Sequence, residues 1–310
     1  MLRRRRPWKS VGLIVHAWVV IFGSMAVVAW FPNPLTYVLA VMLIGSRQLG
    51  LAILMHDGAH GCFAHGQRLN MTLSQWFCAW PVFADTAAYR AYHLQHHAHT
   101  QQPEDPDLIL SAPFPITRES YRRKFIRDIT GQTGFQQRKA QFVAALADPS
   151  RLWGRLGPQC AANAVLCAGL ALAGVWWAYP LLWLVPLLTW MMVITRIRNI
   201  AEHAVVPDSG DPFRNTRTTI ASWIERAFIA PYFVNYHMEH HLLFFVPCYN
   251  LPVLHDILIR GPHGPKMAIE HGYRTVMRRA TAKAAGKDVP GADAGLAEQR
   301  RGGKRAAAGF

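Results

Sequence analysis

The amino-acid sequence predicts an all-α integral membrane protein. Four transmembrane helices form two hairpins, and a cytoplasmic helical cap holds clustered histidines. Three observations predict this architecture: apolar runs of membrane-spanning length alternate with basic segments, the turn within each predicted hairpin is uncharged, and histidines recur at helical spacing in distant segments. The 310-residue chain is 51% hydrophobic yet has a formal net charge of +15, which is typical of a membrane protein with basic cytoplasmic loops.

The first predicted span covers residues 11–31 and follows a strongly basic amino-terminal segment. Residues 3–6 are all arginine, and Lys9 follows. Signal peptides also begin this way, but this run has the roughly 20 residues that a bilayer requires and shows no small-residue cleavage site. Pro32-Asn33-Pro34 should turn the chain, because each proline restricts the residue before it. Residues 35–55 are predicted to return the chain to the cytoplasmic side.

The second predicted hairpin consists of spans at residues 158–178 and 181–195, joined by a turn at Tyr179-Pro180. Arg196 and Arg198 follow the last span, which indicates that it ends in the cytoplasm. Both hairpins therefore begin and end on the basic side of the membrane. This topology puts both termini and every histidine cluster in the cytoplasm.

The segments between the spans are predicted to lie at the membrane interface or in the cytoplasm. Residues 69–88 are apolar but interrupted by Pro81 and Asp85, which favours an interfacial or re-entrant segment over a span. Thr117 should cap a basic helix, which either is solvated along most of its surface or lies on anionic lipid or an acidic partner. We treat residues 1–280 as one domain and predict that residues 281–310 form a disordered basic tail.

Net charge and cysteine content exclude two other classes of protein. A basic chain can bind nucleic acid, but here the basic segments alternate with membrane-length apolar runs, so we expect no nucleic-acid partner. The five cysteines form no C-x-x-C pair and are expected to be reduced, rather than to form a disulfide framework.

The histidines form the motif around which the chain is organised. Two segments have the pattern H-x-x-H-H, and a third has H-x-x-x-H. Residues three and four apart share one face of a helix, so each segment should direct its imidazoles to one side. His203, four residues after Asn199, is a further candidate at the end of the last span. Imidazole is the commonest metal-binding side chain, and eight or more are too many for one tetrahedral zinc ion, which suggests two metal ions. The motif histidines are His56, His60, His93, His96, His97, His237, His240 and His241.

These motifs resemble those of the membrane fatty-acid desaturase superfamily. The Asp-Pro-Asp at 105–107, Pro247, Leu251-Pro252 and His255 fit as well. The resemblance implies a four-helix membrane fold with a cytoplasmic cap, a centre of two non-haem iron ions and O2-dependent attack on an unactivated C–H bond. Asn199 matches a position that acts through a bound water. The ligands implied by the resemblance are His56, His60, His93, His96, His97, His203, His237, His240 and His241.

Three carboxylates adjoin these histidines, namely Asp57, Glu202 and Glu239, and each is either a hydrogen-bond partner of a ligand imidazole or a solvated side chain. We expect His65, His99 and His255, which lie off the motif spacing, not to be direct ligands. We expect an apolar acyl or lipid substrate, O2 and membrane lipids as partners. The sequence contains no His-Pro-Gly-Gly haem signature, so a separate electron donor is expected, such as an acidic ferredoxin or a cytochrome b5-like protein steered to the basic face.

The leading hypothesis is therefore a fatty-acyl desaturase that introduces a C=C bond. A carotenoid hydroxylase or ketolase, or a fatty-acyl hydroxylase, would use the same motifs and remains open. A histidine-rich metal transporter or sensor is the alternative from another class. Transport would require polar ligands at the depth of the bilayer midplane, where the predicted spans offer little besides His16.

Overall fold

A computed structural model describes residues 2–282 of the chain and confirms the predicted helical fold class. The predicted tail lies almost entirely outside the described residues. Short π-helical or 3-10 turns lie at Gln75–Ala79, Trp80–Val82, Leu152–Leu156, Tyr179–Leu184, Cys248–Asn250 and Gly264–Lys266. The α-helices are α1 (Pro7–Trp30), α2 (Pro34–Ala59), α3 (Gln67–Ser74), α4 (Thr86–His99), α5 (Leu108–Ser111), α6 (Arg118–Ile129), α7 (Gln132–Leu146), α8 (Pro149–Arg151), α9 (Gly157–Leu172), α10 (Val185–Leu188), α11 (Trp190–His203), α12 (Trp223–Phe228), α13 (His237–Leu242), α14 (Leu251–Arg260) and α15 (Tyr273–Ala280).

Three helical segments in this part of the chain are long and apolar enough to cross a membrane: Pro7–Trp30, Pro34–Ala59 and Tyr179–His203. They correspond to three of the four predicted spans, with helix extending beyond the predicted bounds. The predicted span at 158–178 is not among them. It contains α9, which has 16 residues and is followed closely by Gly174 in the left-handed region, at φ 76°.

The α1–α2 pair is fixed by its apolar spacing and by the cap at its turn. Ile14, Ile21 and Met25 lie on the buried side of α1. Their spacings of seven and four residues place them in one stripe of the helix. The side chain of Asn33 accepts hydrogen bonds from the backbone N–H groups of Leu35 and Thr36, at 3.0 and 3.1 Å. The Thr36 hydroxyl in turn accepts from the Asn33 N–H, so the predicted turn is a capping box.

Two hydrogen bonds join α2 to the start of the segment Tyr179–His203. Near the start of α2, the Tyr37 hydroxyl donates to the Leu181 carbonyl at 3.3 Å. Further along, the Gln48 side-chain amide donates to the Trp183 carbonyl at 2.7 Å. The end of α2 distant from its histidines therefore lies beside the start of the segment Tyr179–His203.

Hydrogen bonds at two positions join α9 to the segment before α4 and to the start of the segment Tyr179–His203. Gln159, near its start, donates to the Ala84 carbonyl just before α4, at 3.2 Å. One turn later, the Asn163 side-chain oxygen accepts from the Tyr179 hydroxyl and from the indole N–H of Trp183, each at 3.1 Å. Because these groups are buried, their hydrogen bonds fix the orientation of α9 against its neighbours.

The basic helix predicted from Thr117 is confirmed as α6, because the Thr117 hydroxyl accepts from the Ser120 N–H at 3.1 Å. It packs against α11, where the Arg196 guanidinium donates to both carboxylate oxygens of Asp128. One feature was not predicted: strands β1 (Thr218–Ile220) and β2 (Ile269–His271) form a parallel pair. With three residues each, they are too short to show the alternation by which strands are identified in a sequence.

Candidate metal centre

Four helices bring histidines to one buried location. The carboxyl-terminal end of α2 contributes His56 and His60, and the last turn of α11 contributes His203. Helices α4 and α13 each carry an H-x-x-H-H segment, whose helical geometry directs all three rings to one side. Asp85 helps to position α4, because its carboxylate caps the helix by accepting from the Ala88 N–H at 2.8 Å.

The nine histidines sort into two adjacent groups, each of which could hold a metal ion. Within each group, one potential ligand atom per residue lies within 4.8 Å of the others. The two groups touch, because the ring centroids of His97 and His241, one from each, are 4.3 Å apart. The five-histidine group is His56, His60, His93, His97 and His240; the four-histidine group is His96, His203, His237 and His241.

The closest nitrogen–nitrogen distances within the groups join Nε2 atoms. His97 Nε2 lies 2.9 Å from His93 Nε2 and 3.0 Å from His240 Nε2. In the other group, His237 Nε2 lies 2.8 Å from His203 Nε2. Several imidazole nitrogens thus converge on one point in each group, which is the arrangement that a shared ion requires.

Burial keeps these imidazoles neutral, which is the form that binds a metal. Burial lowers the pKa of His60 to about 3 and that of His97 to about 2. Burial and the neighbouring imidazoles also hold the pKa values of His93, His240 and His241 well below the ordinary 6.5. At neutral pH these rings therefore carry lone pairs rather than positive charges.

Unpaired ring nitrogens show that the residues present fit a metal. In the described chain, six buried nitrogens of these nine imidazoles have no hydrogen-bond partner, and five of the nine rings contribute them. A buried polar atom without a partner is costly. A transition-metal ion would satisfy a nitrogen of His60 and Nε2 of His241. The rings of His93, His97 and His203, by contrast, already direct their Nε2 atoms into the groups and leave Nδ1 outside. Uncharged nitrogen donors suit iron, zinc, copper and nickel. The unpaired atoms are His60 Nδ1, His60 Nε2, His93 Nδ1, His97 Nδ1, His203 Nδ1 and His241 Nε2.

Asp105 contacts a histidine of the four-histidine group, and sequence reasoning missed this contact although the Asp-Pro-Asp motif was visible. Its buried carboxylate accepts a hydrogen bond from His96 Nδ1 at 2.7 Å. It also accepts from the backbone N–H groups of Gln101 and Asp107, at 2.9 and 2.8 Å. Burial would lower the pKa of His96, but the bond to Asp105 and the charge of Asp107 raise it instead. Asp105 therefore holds the proton on Nδ1 and leaves Nε2 as the donor.

The three carboxylates predicted to contact ligand imidazoles have different partners. Glu202 Oε2 faces His237 Nδ1 at 3.6 Å and Arg198 at 3.3 Å. Asp57 instead accepts from the Cys248 backbone N–H at 2.9 Å, so it fixes the chain after α13 rather than an imidazole.

Glu239, the third, does not contact a member of either group through its hydrogen bonds. It is fully buried and accepts from His255 Nδ1 at 2.6 Å and from the Thr218 hydroxyl. It therefore links α13 to α14 and to β1. His255 lies 16 residues after Glu239, so local spacing gave no sign of the contact.

Asn199 lies in the wall of the cavity described below, and its side-chain oxygen accepts from Arg198 at 2.8 Å. The histidines expected not to be direct ligands lie outside both groups: His65 and His99 are exposed, and His255 is bonded to Glu239.

Aromatic side chains pack around the five-histidine group. The Tyr89 ring stacks on His93 with centroids 4.9 Å apart. The Phe244 ring lies 5.2 Å from both His60 and His97. These rings limit the access of water to the imidazoles, and neither was identified from the sequence.

A cavity of about 890 Å³ opens beside both groups and includes His56, His237 and His240 in its wall. This volume lies within the range of roughly 300–1,000 Å³ that small-molecule sites occupy. One part of the wall is apolar, formed by Leu49, Ala52, Ile53, Met191, Met192 and Leu251; another part is charged, formed by Glu104, Asp105, Asp107, Arg138 and Arg198.

Comparisons with known proteins agree with this geometry. The chain is 29% identical over 263 residues to dihydrorhizobitoxine desaturase of Bradyrhizobium elkanii, covering 79% of this chain and 73% of that protein. It is 25% identical over 281 residues to sn-1 oleoyl-lipid 12-desaturase of Anabaena variabilis, covering 80% and 75%. A shorter match, 30% identical over 103 residues and covering 32% and 23%, is to the temperature-sensitive sn-2 acyl-lipid omega-3 desaturase (ferredoxin) of Arabidopsis thaliana. The family model for fatty acid desaturase matches residues 29–271, and the chain therefore belongs to the fatty acid desaturase family.

Proposed function

We propose that this protein is an O2-dependent membrane desaturase that introduces a C=C bond into the acyl chain of a lipid. The observation that carries the proposal is the location of two histidine groups in the wall of a partly apolar cavity. In the balanced reaction, a –CH2–CH2– unit, one O2, two electrons and two protons give –CH=CH– and two H2O. The electrons come from a separate redox protein.

The proposed cofactor is a pair of iron ions, one in each histidine group. When bound, iron supplies the oxidising chemistry with O2 that protein side chains cannot provide. The protein's own residues have other tasks: the nine imidazoles supply nitrogen donors, Asp105 fixes the orientation of His96, and the apolar wall excludes water. Asn199 is proposed to act through a water molecule, which its position in the cavity wall allows.

The cavity supports an acyl substrate because its walls differ in polarity. Leu49, Ile53 and Leu251 would contact the hydrocarbon chain, and Arg138 in the same wall would pair with a polar head group. Arg198 is already paired with Glu202 beside His237. The relatives carry names that refer to dihydrorhizobitoxine and to oleoyl-lipid, so the identity of the substrate has to be measured. Family membership weighs against the transporter or sensor alternative.

Product analysis tests the proposed reaction. Lipids of an expressing host, compared by mass spectrometry with those of a host that expresses His240→Ala, should gain an acyl species lighter by two hydrogens. A gain of one oxygen atom in a lipid or a carotenoid would instead indicate a hydroxylase or ketolase. No change in any of these compounds would contradict the proposal.

A cavity-blocking substitution should separate substrate binding from metal binding. Ala52 lies in the apolar wall, so Ala52→Phe should obstruct the chain and lower kcat/KM roughly tenfold or more. Iron content is measured in parallel, because Ala52 lies one turn before His56 on α2, and the fall in kcat/KM reports substrate binding when iron stays at the wild-type level. Val38→Phe is the matched control: it lies on the same helix, is 52% exposed and should change neither quantity. Unchanged kcat/KM in Ala52→Phe would show that the substrate lies elsewhere.

Four membrane crossings are proposed, with both termini and the histidines in the cytoplasm. The amino terminus lies on the histidine side, since Asn250 donates to the Leu2 carbonyl at 2.8 Å. The segment Tyr179–His203 ends at a histidine, so the proposed topology requires a crossing between His99 and Tyr179. Helices α8 and α9 and the π-helical turn between them are continuous and would measure about 36 Å at 1.5 Å per residue, enough for a bilayer core of about 30 Å.

The topology is tested with tags at the amino terminus and after Phe310. In intact cells, membrane-impermeant labels should reach neither tag, and both should become accessible after permeabilisation of the inner membrane. Labelling of one tag alone in intact cells would show an odd number of crossings and would contradict the four-helix topology.

A further inference from the structure

We propose that a small acidic redox protein docks on the face formed by the amino-terminal arm, residues 2–9, and the segment 244–250. Its electrons enter the five-histidine group past Phe244. This inference rests on the proposed function, which requires two electrons per turnover from outside the chain. It adds the location of the electron donor and the residues that attract it.

The arm is folded back over the metal centre, although a basic segment before a first span could simply extend along the lipid. The Arg6 backbone N–H donates to the Tyr249 hydroxyl at 2.8 Å, and the Arg3 guanidinium lies 4.0 Å from the ring centroid of Phe245. On the other side, Arg5 donates to the Ala64 carbonyl at 3.3 Å. The anchoring residues lie shortly after His60 and His241 in the sequence, so the arm packs on the same side of the protein as the two histidine groups.

The arm presents an uncompensated positive charge. Arg3, Arg4 and Arg6 are exposed, and Arg5 and Lys9 are partly exposed. Across residues 2–282, no ion pair joins these five cations to a carboxylate. Residues 4–8 also line a concave surface together with His65. A concave patch of one sign attracts a partner of the opposite sign and raises the rate of association.

Phe244 connects this patch to the metal centre. Its side chain is 37% exposed, and the same ring contacts both His60 and His97. A docked donor would thus be separated from two proposed ligands by a single aromatic side chain. The donor is oxidised by one electron at each encounter, and two encounters supply the two electrons of the balanced reaction.

The sharpest test reverses three charges and compares two ways of reducing the enzyme. The variant Arg3→Glu/Arg4→Glu/Arg6→Glu should raise the KM for an acidic [2Fe–2S] ferredoxin roughly tenfold or more. The variant is also reduced anaerobically with dithionite, freed of the excess and then given O2. Its product yield in this single turnover, and its iron content, should match the wild type. The matched control, Arg118→Glu/Arg122→Glu/Arg127→Glu, reverses three exposed charges on α6, another basic surface, and should leave the KM for ferredoxin within about twofold.

Each other outcome overturns the proposal. An unchanged KM in the arm variant, or a raised KM only in the α6 variant, would mean that docking occurs elsewhere. An equal loss of turnover with ferredoxin and with dithionite, restored by anionic lipid in nanodiscs, would assign the arm to the membrane surface. Phe244→Leu should keep the ferredoxin KM but slow reduction, and equal reduction rates would exclude this route. If the wild type makes no product with either reductant, the proposed function itself has failed.

Discussion

Replacing His240 with alanine is expected to abolish turnover and to remove iron from the five-histidine group. His240 is buried, and its Nε2 lies 3.0 Å from that of His97. Its ring also packs against His56 and His60, with centroids 4.3 and 4.9 Å away. Loss of a residue that hydrogen-bonds to a metal ligand lowers metal affinity or activity roughly 10- to 100-fold. Loss of His240, a proposed ligand itself, should lower them further.

The measurement is iron per chain together with turnover in the purified His240→Ala protein. Iron should fall below about two ions per chain, because the five-histidine group loses the donor whose Nε2 lies beside that of His97, while the other group is unchanged. His99→Ala is the control: His99 lies on α4 with three of the motif histidines but is exposed and outside both groups. Full iron content and activity in His240→Ala would remove His240 from the proposed ligands.

Replacing Asp105 with asparagine should weaken iron binding at the four-histidine group. Asp105 accepts from the Gln101 N–H through Oδ2 and from the Asp107 N–H and His96 Nδ1 through Oδ1. The amide keeps only one of these oxygens and loses the charge that holds the proton on His96 Nδ1. Loss of such a partner behind a ligand costs roughly 10- to 100-fold in metal affinity or activity. Titration of apo-protein with ferrous iron would measure the change directly, and turnover should fall in parallel.

Asp208→Asn is the control for this substitution, because it makes the same chemical change in another turn. Asp208 is exposed and accepts from the Gly210 N–H at 2.9 Å, but it contacts no imidazole of either group. Its iron affinity should equal that of the wild type. If Asp105→Asn also bound iron normally, the bond between Asp105 and His96 would have no role in holding the ion.

The helical elements and the clustering of histidines could be predicted because both depend on local spacing. Positions three and four apart share a helix face whatever the rest of the fold does, so the α4 and α13 rings point together as expected. The Asn33 turn and the Thr117 cap are likewise local, and both are present. The assignment of His96 and His97, adjacent in sequence, to different groups follows from the position of α11 and could not be deduced locally.

The contacts that were missed join residues distant in sequence. Asp57 meets Cys248, and Glu239 meets His255, because helices pack in three dimensions and carboxylates satisfy whichever donors are nearest. The bond between Asp105 and His96 spans only nine residues, but it depends on the turn that follows α4. Helix α9 is shorter than the span predicted at 158–178. The helix ends at Leu172, just before Gly174, whereas the apolar composition on which the prediction rested continues beyond it.

The central claim is that two iron ions lie side by side, one in each histidine group. Anomalous scattering from crystals of the purified wild-type protein, measured on both sides of the iron absorption edge, tests it most directly. The account predicts two peaks, one among His56, His60, His93, His97 and His240 and one among His96, His203, His237 and His241. A single peak, or an iron peak away from these imidazoles, would contradict it.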